Sequence, residues 1–159
     1  MMEKVSDIPS KRAAARTPEE AQALKLWVVL SRAKSAVQDL ADEDISRHGL
    51  STGEFAILET LYHKGPLLLG EVQRKILASS GGVTYLVDRL AQQGLVERRE
   101  CATDRRARYA ALTASGEALM ERIFPLHAAV IADAMAGLDA GEKATAIALL
   151  KKLGLSAKE

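Results

Sequence analysis

Apolar residues return every three or four positions along most of this chain, and that rhythm gives way once, to a period of two, between Leu95 and Leu112. The first helical stretch opens with Thr17-Pro18-Glu19-Glu20, which supplies an N-cap, a proline at the first helical position and a capping-box glutamate. A helix is predicted from there to about His48, with Gly49 as its stop. Leu26, Val29, Leu30, Ala33, Val37 and Leu40 fall on one side of it. At roughly 30 residues it far exceeds the mean globular helix of ~11–12, and a helix of that length is expected to pack on a partner.

Ser51-Thr52-Gly53-Glu54 is a second capping box, opening a helix with Phe55, Ile57, Leu58 and Leu61 as its apolar residues and Gly65-Pro66 as its end. Leu67-Leu68-Leu69 is too short for a helix and reads as a three-residue strand. A short helix comes next, from Gly70 to Leu77, with Val72 and Ile76 four apart. The stretch SSGGVTYLVDRLAQQGL is expected to form a further helix, capped by Ser79 or Ser80 and ended by Gly94. Val83, Leu86, Val87 and Leu90 make its apolar stripe, yet it begins with two glycines, each costing a helix interior about 1 kcal/mol relative to alanine.

The period-two region predicts two strands, Leu95–Cys101 and Ala107–Leu112, joined by Ala102-Thr103-Asp104-Arg105-Arg106 as a hairpin with a charged tip. Thr113 then caps a helix to about Ala136, with Leu119, Ile123, Leu126, Val130 and Met135 on its apolar side, and Gly137 breaks it. Asp139-Ala140-Gly141-Glu142 opens a last helix running to Leu153. Three short helices and then a hairpin give the winged helix-turn-helix arrangement. The fold class expected is mainly α with a small β-hairpin, flanked by long N- and C-terminal dimerisation helices. The corresponding division is a disordered arm at 1–16, a dimerisation helix at 17–48, a DNA-binding domain at 49–113 and dimerisation helices at 114–159. The wide apolar faces at both ends are best covered by a second copy of the chain.

Composition narrows the function classes. The 159 residues are 48% apolar and 27% charged, with a formal net charge of +1, so attraction to a polyanion must come from local patches. No apolar run approaches the ~18 residues of a membrane span, and the N-terminal MMEKVSDIPSKRAAART has no apolar core of a secretory signal. The single cysteine, Cys101, excludes an intrachain disulfide and fits a reducing cytoplasm. Phosphate-loop, dinucleotide, zinc-protease and nucleophile-elbow motifs are absent, and His48, His63 and His127 lack the local spacing of a zinc site. No catalytic residue, metal or cofactor is therefore assigned. His48 and His63 read as helix-end residues compatible with the dipole.

The helix beginning at Ser79 is where the chemistry gathers. With ~100° per residue, its apolar stripe leaves Gly81, Thr84, Tyr85, Asp88, Arg89 and Gln92 on the opposite face. A helix that enters the major groove presents its N-terminal residues to base edges, and its free N–H groups favour phosphate. Ser79, Ser80, Gly81, Gly82, Thr84, Tyr85 and Arg89 are the DNA-contact candidates on it. The two glycines would let the helix start approach the duplex closely. A merely solvated polar face is the competing reading, and the hairpin weighs against it: Arg98, Arg99, Arg105, Arg106 and Arg108 cluster there, interrupted by Glu97, Glu100 and Asp104. Arg105 and Arg106 fall at the tip, where arginine suits the narrow minor groove, and Asp104 is expected to hold the tip arginines or the turn.

These residues together resemble the MarR family of bacterial transcriptional regulators over about residues 20–153. The motifs are Leu50-Ser51 with Glu54-Phe55 and Leu58, ILASSGGVTYLVDRLAQQGLVERR, Asp104-x-Arg106, and Leu112-Thr113 with Gly116. LYHKGPLLLGEVQRKILASSGGVTYLVDRL is similar to the branch containing the 2-methylhydroquinone-resistance regulators. The resemblance implies a homodimer that binds a palindromic operator in double-stranded DNA, usually as a repressor released by a phenolic ligand. It also implies that Ser79–Gly94 is the recognition helix and Arg106 the wing arginine. The thiol-sensing branch carries its reactive cysteine in the N-terminal helical region, where this chain has none. Cys101, beside arginines on a strand, stands as a candidate redox residue against a purely structural one. Trp27 and Arg32 are candidates for a cavity that takes a small aromatic effector. A winged helix that binds protein instead of DNA is the remaining alternative.

Overall fold

In a computed structural model, residues 16–76, 80–104 and 106–158 are described. Residues 1–15 of the arm, Leu77, Ser79 and Arg105 therefore lie outside the described residues. Among the described residues, six helices and three strands succeed one another: α1 Pro18–Arg47, α2 Thr52–Lys64, β1 Leu67–Leu68, α3 Leu69–Ile76, α4 Ser80–Gln92, β2 Val96–Glu100, β3 Arg108–Leu112, α5 Ala114–Ala134 and α6 Ala140–Ser156. The chain divides into two compact units within α1, after Ala36.

The first unit contains the beginning of α1. Thr17 and Glu20 cap it reciprocally, the Glu20 backbone N–H donating to Thr17 Oγ1 at 3.1 Å and the Thr17 N–H to Glu20 Oε2 at 2.8 Å. Leu24, Leu26, Trp27, Val28 and Val29 are all exposed there. Of the apolar stripe read from the sequence, Leu26 and Val29 are exposed in this unit and Leu30 is half-buried.

The second unit holds the core. Ile45, Leu50, Phe55, Ile57, Leu58, Leu61, Val72, Val83, Val87, Leu90, Val96, Ala110, Met120 and Ile123 form one buried cluster drawn from α1, α2, α3, α4, the strands and α5. Burial of such side chains, at about 25 cal/mol per Å² of apolar surface, drives the assembly. Gly49, Gly65 and Gly94 end α1, α2 and α4 with φ of +76°, +75° and +71°, a backbone region where a side chain is strained.

Four expectations are corrected. The hairpin is part of a three-stranded antiparallel sheet in the order β1-β3-β2, with Leu67 opposite Ala110 and Val96 opposite Leu112. A two-residue strand has no periodicity of its own, so only its pairing with β3 defines it. Leu69 accordingly begins α3. Of the two caps expected for α4, Ser80 is instead its first residue, and Ser79 lies outside the described residues. The inward face of α5 is Gly116, Met120, Ile123 and His127, while Leu126 and Met135 are 55% and 38% exposed. Of the apolar side predicted for α5, Ile123 is buried in the core and Leu119 packs against it, while Leu126 and Met135 turn away.

Candidate nucleic-acid interface

Helix α4 is held from behind as its spacing requires. Val83, Val87 and Leu90 are buried, Leu86 is half-buried, and Thr84, Tyr85, Asp88, Arg89 and Gln92 are exposed. Tyr85 is 60% exposed, unusual for a large aromatic side chain with no role at a surface. The side chains at Ser80 and Gly81 and all of Ser79 lie outside what is described.

Two ion pairs fix α4 against its neighbours. Arg89 Nε lies 3.2 Å from Glu54 Oε1 of α2, and Asp88 Oδ1 lies 2.6 Å from Arg98 Nη2 of β2. The Arg89 guanidinium also sits over the Tyr85 ring, 5.9 Å from its centroid, within cation–π range. A hydrogen bond to the Tyr85 hydroxyl, and then the Glu54 charge, push the Arg89 pKa above its ordinary value. Arg89 remains a cation at any working pH.

The wing sorts its arginines. Arg99 pairs with Glu97 at 2.6 Å, Arg108 with Glu100 at 2.7 Å, and Arg98 with Asp88 at 2.6 Å. Arg106 is exposed and its guanidinium has no carboxylate partner among the described residues. Asp104 spans the turn: its Oδ1 accepts the Arg106 backbone N–H at 2.9 Å, and its carbonyl accepts that of Ala107 at 3.1 Å. Arg74, Arg106 and Arg108 line a cleft of about 390 Å³ beside the start of α3, with Glu71 as the opposing charge.

Residues 48–107 match the MarR family. The HTH-type transcriptional regulator MhqR of Bacillus subtilis is 44% identical over 138 residues, which are 87% of this chain and 95% of that protein. The chain belongs to the MarR family. Among solved structures, a cysteine-to-serine mutant of MarR from E. coli complexed with operator DNA superposes with a TM-score of 0.75 and 25% identity, covering 83% of this chain and 95% of that one. AbsC of Streptomyces coelicolor, a MarR family transcriptional regulator, shares the fold with a TM-score of 0.78 at 22% identity, covering 92% of this chain and 99% of that one. The protein is a winged-helix DNA-binding transcription regulator, as its relative MhqR is a transcriptional regulator.

The remaining candidates of this MarR-family chain lie on other elements, Cys101 after β2 and Trp27 and Arg32 on α1. Cys101 is half-buried at the end of β2, its Sγ 3.2 Å from Thr103 Oγ1. Its thiol pKa is lowered, first by the Thr103 side chain, then by the backbone N–H groups of Thr103 and Asp104, with Tyr109 contributing less. No arginine among the described residues is among these causes. The Tyr109 hydroxyl is pushed up in turn by its hydrogen bond to Cys101. Trp27 is 66% exposed and Arg32 is exposed, both on α1. No helix is long and apolar enough to cross a membrane, and no group of His, Cys, Asp and Glu among the described residues has the arrangement of a metal site.

Sequence reasoning missed two features. Glu54 is legible as a capping residue, but nothing local marks it as the partner of Arg89. His48 is more than a helix-end residue, and His127, inside α5, joins it: His127 Nδ1 lies 2.9 Å from buried Asp44 Oδ2, His48 Nε2 lies 3.6 Å from Asp44 Oδ1, and the His127 ring packs on Phe55 at 4.5 Å. That cluster joins the end of α1 to α5 and is structural.

Proposed function

We propose that this MarR-family regulator binds an inverted-repeat operator as a homodimer, acts there as a repressor in the cytoplasm, and is released by a small phenolic or quinone-like ligand. The observation that carries the DNA reading is the exposed Thr84–Tyr85–Arg89 face of α4, together with a wing arginine, Arg106, left without a carboxylate among the described residues. Ser79, Ser80, Gly81 and Gly82 would lie at the helix start against the duplex, and Arg105 with Arg106 at the minor groove. The homodimer is supported by apolar surface that a lone chain leaves uncovered: Leu26, Trp27 and Val29 on α1, and Ile147, Leu149, Leu150 and Leu155 on α6. No cofactor is required.

Release is a matter of geometry. Two recognition helices of a dimer must sit about 34–36 Å apart to enter successive major grooves on one face of DNA. A ligand that prefers a dimer with a different spacing lowers operator affinity by its differential affinity for the two forms. The phenolic class rests on the resemblance of LYHKGPLLLGEVQRKILASSGGVTYLVDRL to the 2-methylhydroquinone-resistance branch. Trp27 and Arg32 remain the residues proposed for the effector.

A second reading is favoured by the hydrogen bonds that lower the Cys101 pKa: modification of the thiol by an oxidant or quinone would distort the wing directly. Selection of genomic fragments with the purified protein tests the whole proposal. It should recover an inverted repeat, bound with an affinity that falls steeply as salt rises. Fragments without dyad symmetry would refute the homodimeric operator reading. Ligand-induced release that survives in Cys101→Ser assigns the response to binding, and its loss assigns it to the thiol.

A further inference from the structure

Glu54 is buried more deeply than capping a helix requires. Its side chain is 2% exposed, and its Oε2 accepts the Ser51 backbone N–H at 2.8 Å while Ser51 Oγ accepts the Glu54 N–H at 3.2 Å. The same chain contains two further reciprocal caps, Thr17 with Glu20 and Asp139 with Glu142, and both glutamates there are exposed. Capping is therefore achieved twice without removing a carboxylate from water. A buried carboxylate is costly unless its remaining oxygen is also matched. Glu54 Oε1 accepts no hydrogen bond among the described residues, and the cation beside it is Arg89, whose Nε is 3.2 Å away.

Arg89 is pinned at one edge and presented at the other. Of its five N–H donors, the one on Nε faces Glu54, while the side chain as a whole is 48% exposed and lies over Tyr85. An arginine ordered in advance loses less rotamer freedom on contacting a base or phosphate than a free one. The pair is also neutral in sum, so its long-range pull on any phosphate backbone is weak while its hydrogen-bond donors remain. That combination favours discrimination over general affinity.

We infer that Glu54 is a positioning residue for DNA recognition: from within α2 it holds Arg89 in one orientation on the exposed face of α4, and so sets the sequence preference of that helix. The inference rests on reading α4 as the recognition helix.

The test is a double-mutant cycle on full-length protein, using the duplex recovered by selection and a scrambled duplex of equal length. Glu54→Gln keeps an oxygen for the Ser51 N–H and removes the charge. It should weaken binding to the selected duplex by about 10-fold, the scale of one base contact, and leave the scrambled duplex bound equally or more tightly. In an Arg89→Ala background Glu54→Gln should add nothing further, because its effect passes through Arg89. Arg89→Lys, which keeps the charge without the planar fork, should lose discrimination to a similar degree even if Glu54→Gln folds poorly. Melting temperatures at one protein concentration accompany each variant. Equal loss on both duplexes, unchanged binding by Glu54→Gln, multiplying effects in the double mutant, or full discrimination by Arg89→Lys would each overturn the inference. Impaired Arg89→Ala with intact Glu54→Gln refutes the positioning role alone. Parental binding by Arg89→Ala refutes the recognition role of Arg89 as well.

Discussion

Adding a single methyl group at Gly116 should unseat the wing from helix α5. A Cβ built on Gly116 would overlap the Leu95 carbonyl oxygen, with the Leu95 carbonyl carbon at 3.0 Å and Leu112 Cδ2 at 3.3 Å. A comfortable carbon–oxygen contact is about 3.3 Å, so the two backbones must move apart. That carbonyl is not free to turn away, since it accepts the Thr113 N–H at 3.1 Å. Thr113 is committed as well: its hydroxyl donates to the Gly94 carbonyl at 2.6 Å and accepts the Gly116 N–H at 3.0 Å. Overpacking costs about 1–3 kcal/mol or more when backbone has to move, and losing one of these hydrogen bonds adds about 1 kcal/mol. The helix-propensity gain of alanine over glycine returns at most about 1 kcal/mol. The net loss is about 2 kcal/mol, which lowers the melting temperature of a chain this size by about 4–8 °C.

Gly53→Ala is the internal control. Its Cβ would meet Leu86 Cδ1 at 2.7 Å, but that atom ends a half-buried, flexible side chain. A rotamer adjustment of about 1 kcal/mol offsets the propensity gain, and stability should stay within about 1 kcal/mol of the parent. Thermal melts monitored by circular dichroism, at one protein concentration because a dimer's stability depends on it, decide the matter. A Gly116→Ala melt within about 2 °C of the parent, or a Gly53→Ala melt depressed as far as that of Gly116→Ala, would refute the close-approach argument.

Other perturbations address DNA and the thiol. Arg106→Ala should weaken binding to the selected duplex by about 10-fold or more while the dimer persists in size-exclusion chromatography, an effect of about 1–3 kcal/mol; parental affinity in a gel-shift titration at fixed salt would remove the wing assignment. Gly82→Gln should impair DNA binding with a small change in melting temperature, and unchanged binding would show that bulk at the start of α4 is tolerated by the duplex. Because hydrogen-bond donors favour the Cys101 thiolate, its alkylation rate should reach half its maximum below pH 9.0 and level off above that point. Thr103→Ala removes the largest contributor and should move this midpoint upward; a midpoint at or above that of a free thiol in the parent would contradict the geometry. His127→Ala leaves buried Asp44 without its 2.9 Å partner and opens the Phe55 contact, so a loss of about 2–3 kcal/mol is expected in urea unfolding.

Most elements were legible because their signals are local. The capping boxes at Ser51 and Asp139, the stop at Gly94 and the stripe of Val83, Val87 and Leu90 are each decided within one or two turns of helix. The exposed face of Thr84, Tyr85 and Arg89 is a consequence of that same stripe, since burying one side of a helix leaves the other. The inward face of α5 was misplaced because this helix has apolar residues on more than one side, and periodicity does not say which side its own unit covers. Gly116 and His127 face inward for reasons of fit and hydrogen bonding, which a hydrophobic pattern does not register.

The sequence by itself determined the helices, the change to strands, the MarR-family motifs and the candidate DNA face, because propensity, capping and periodicity act between near neighbours in the chain. Only the tertiary structure decided which charges remain available. Arg98, Arg99 and Arg108 are taken up by carboxylates, Arg89 is held by a glutamate from another helix, and Arg106 is left without a carboxylate partner among the described residues. Ion pairing depends on approach to within a few ångströms, and for Arg89 with Glu54 and Arg98 with Asp88 that approach exists only once the helices and strands have packed.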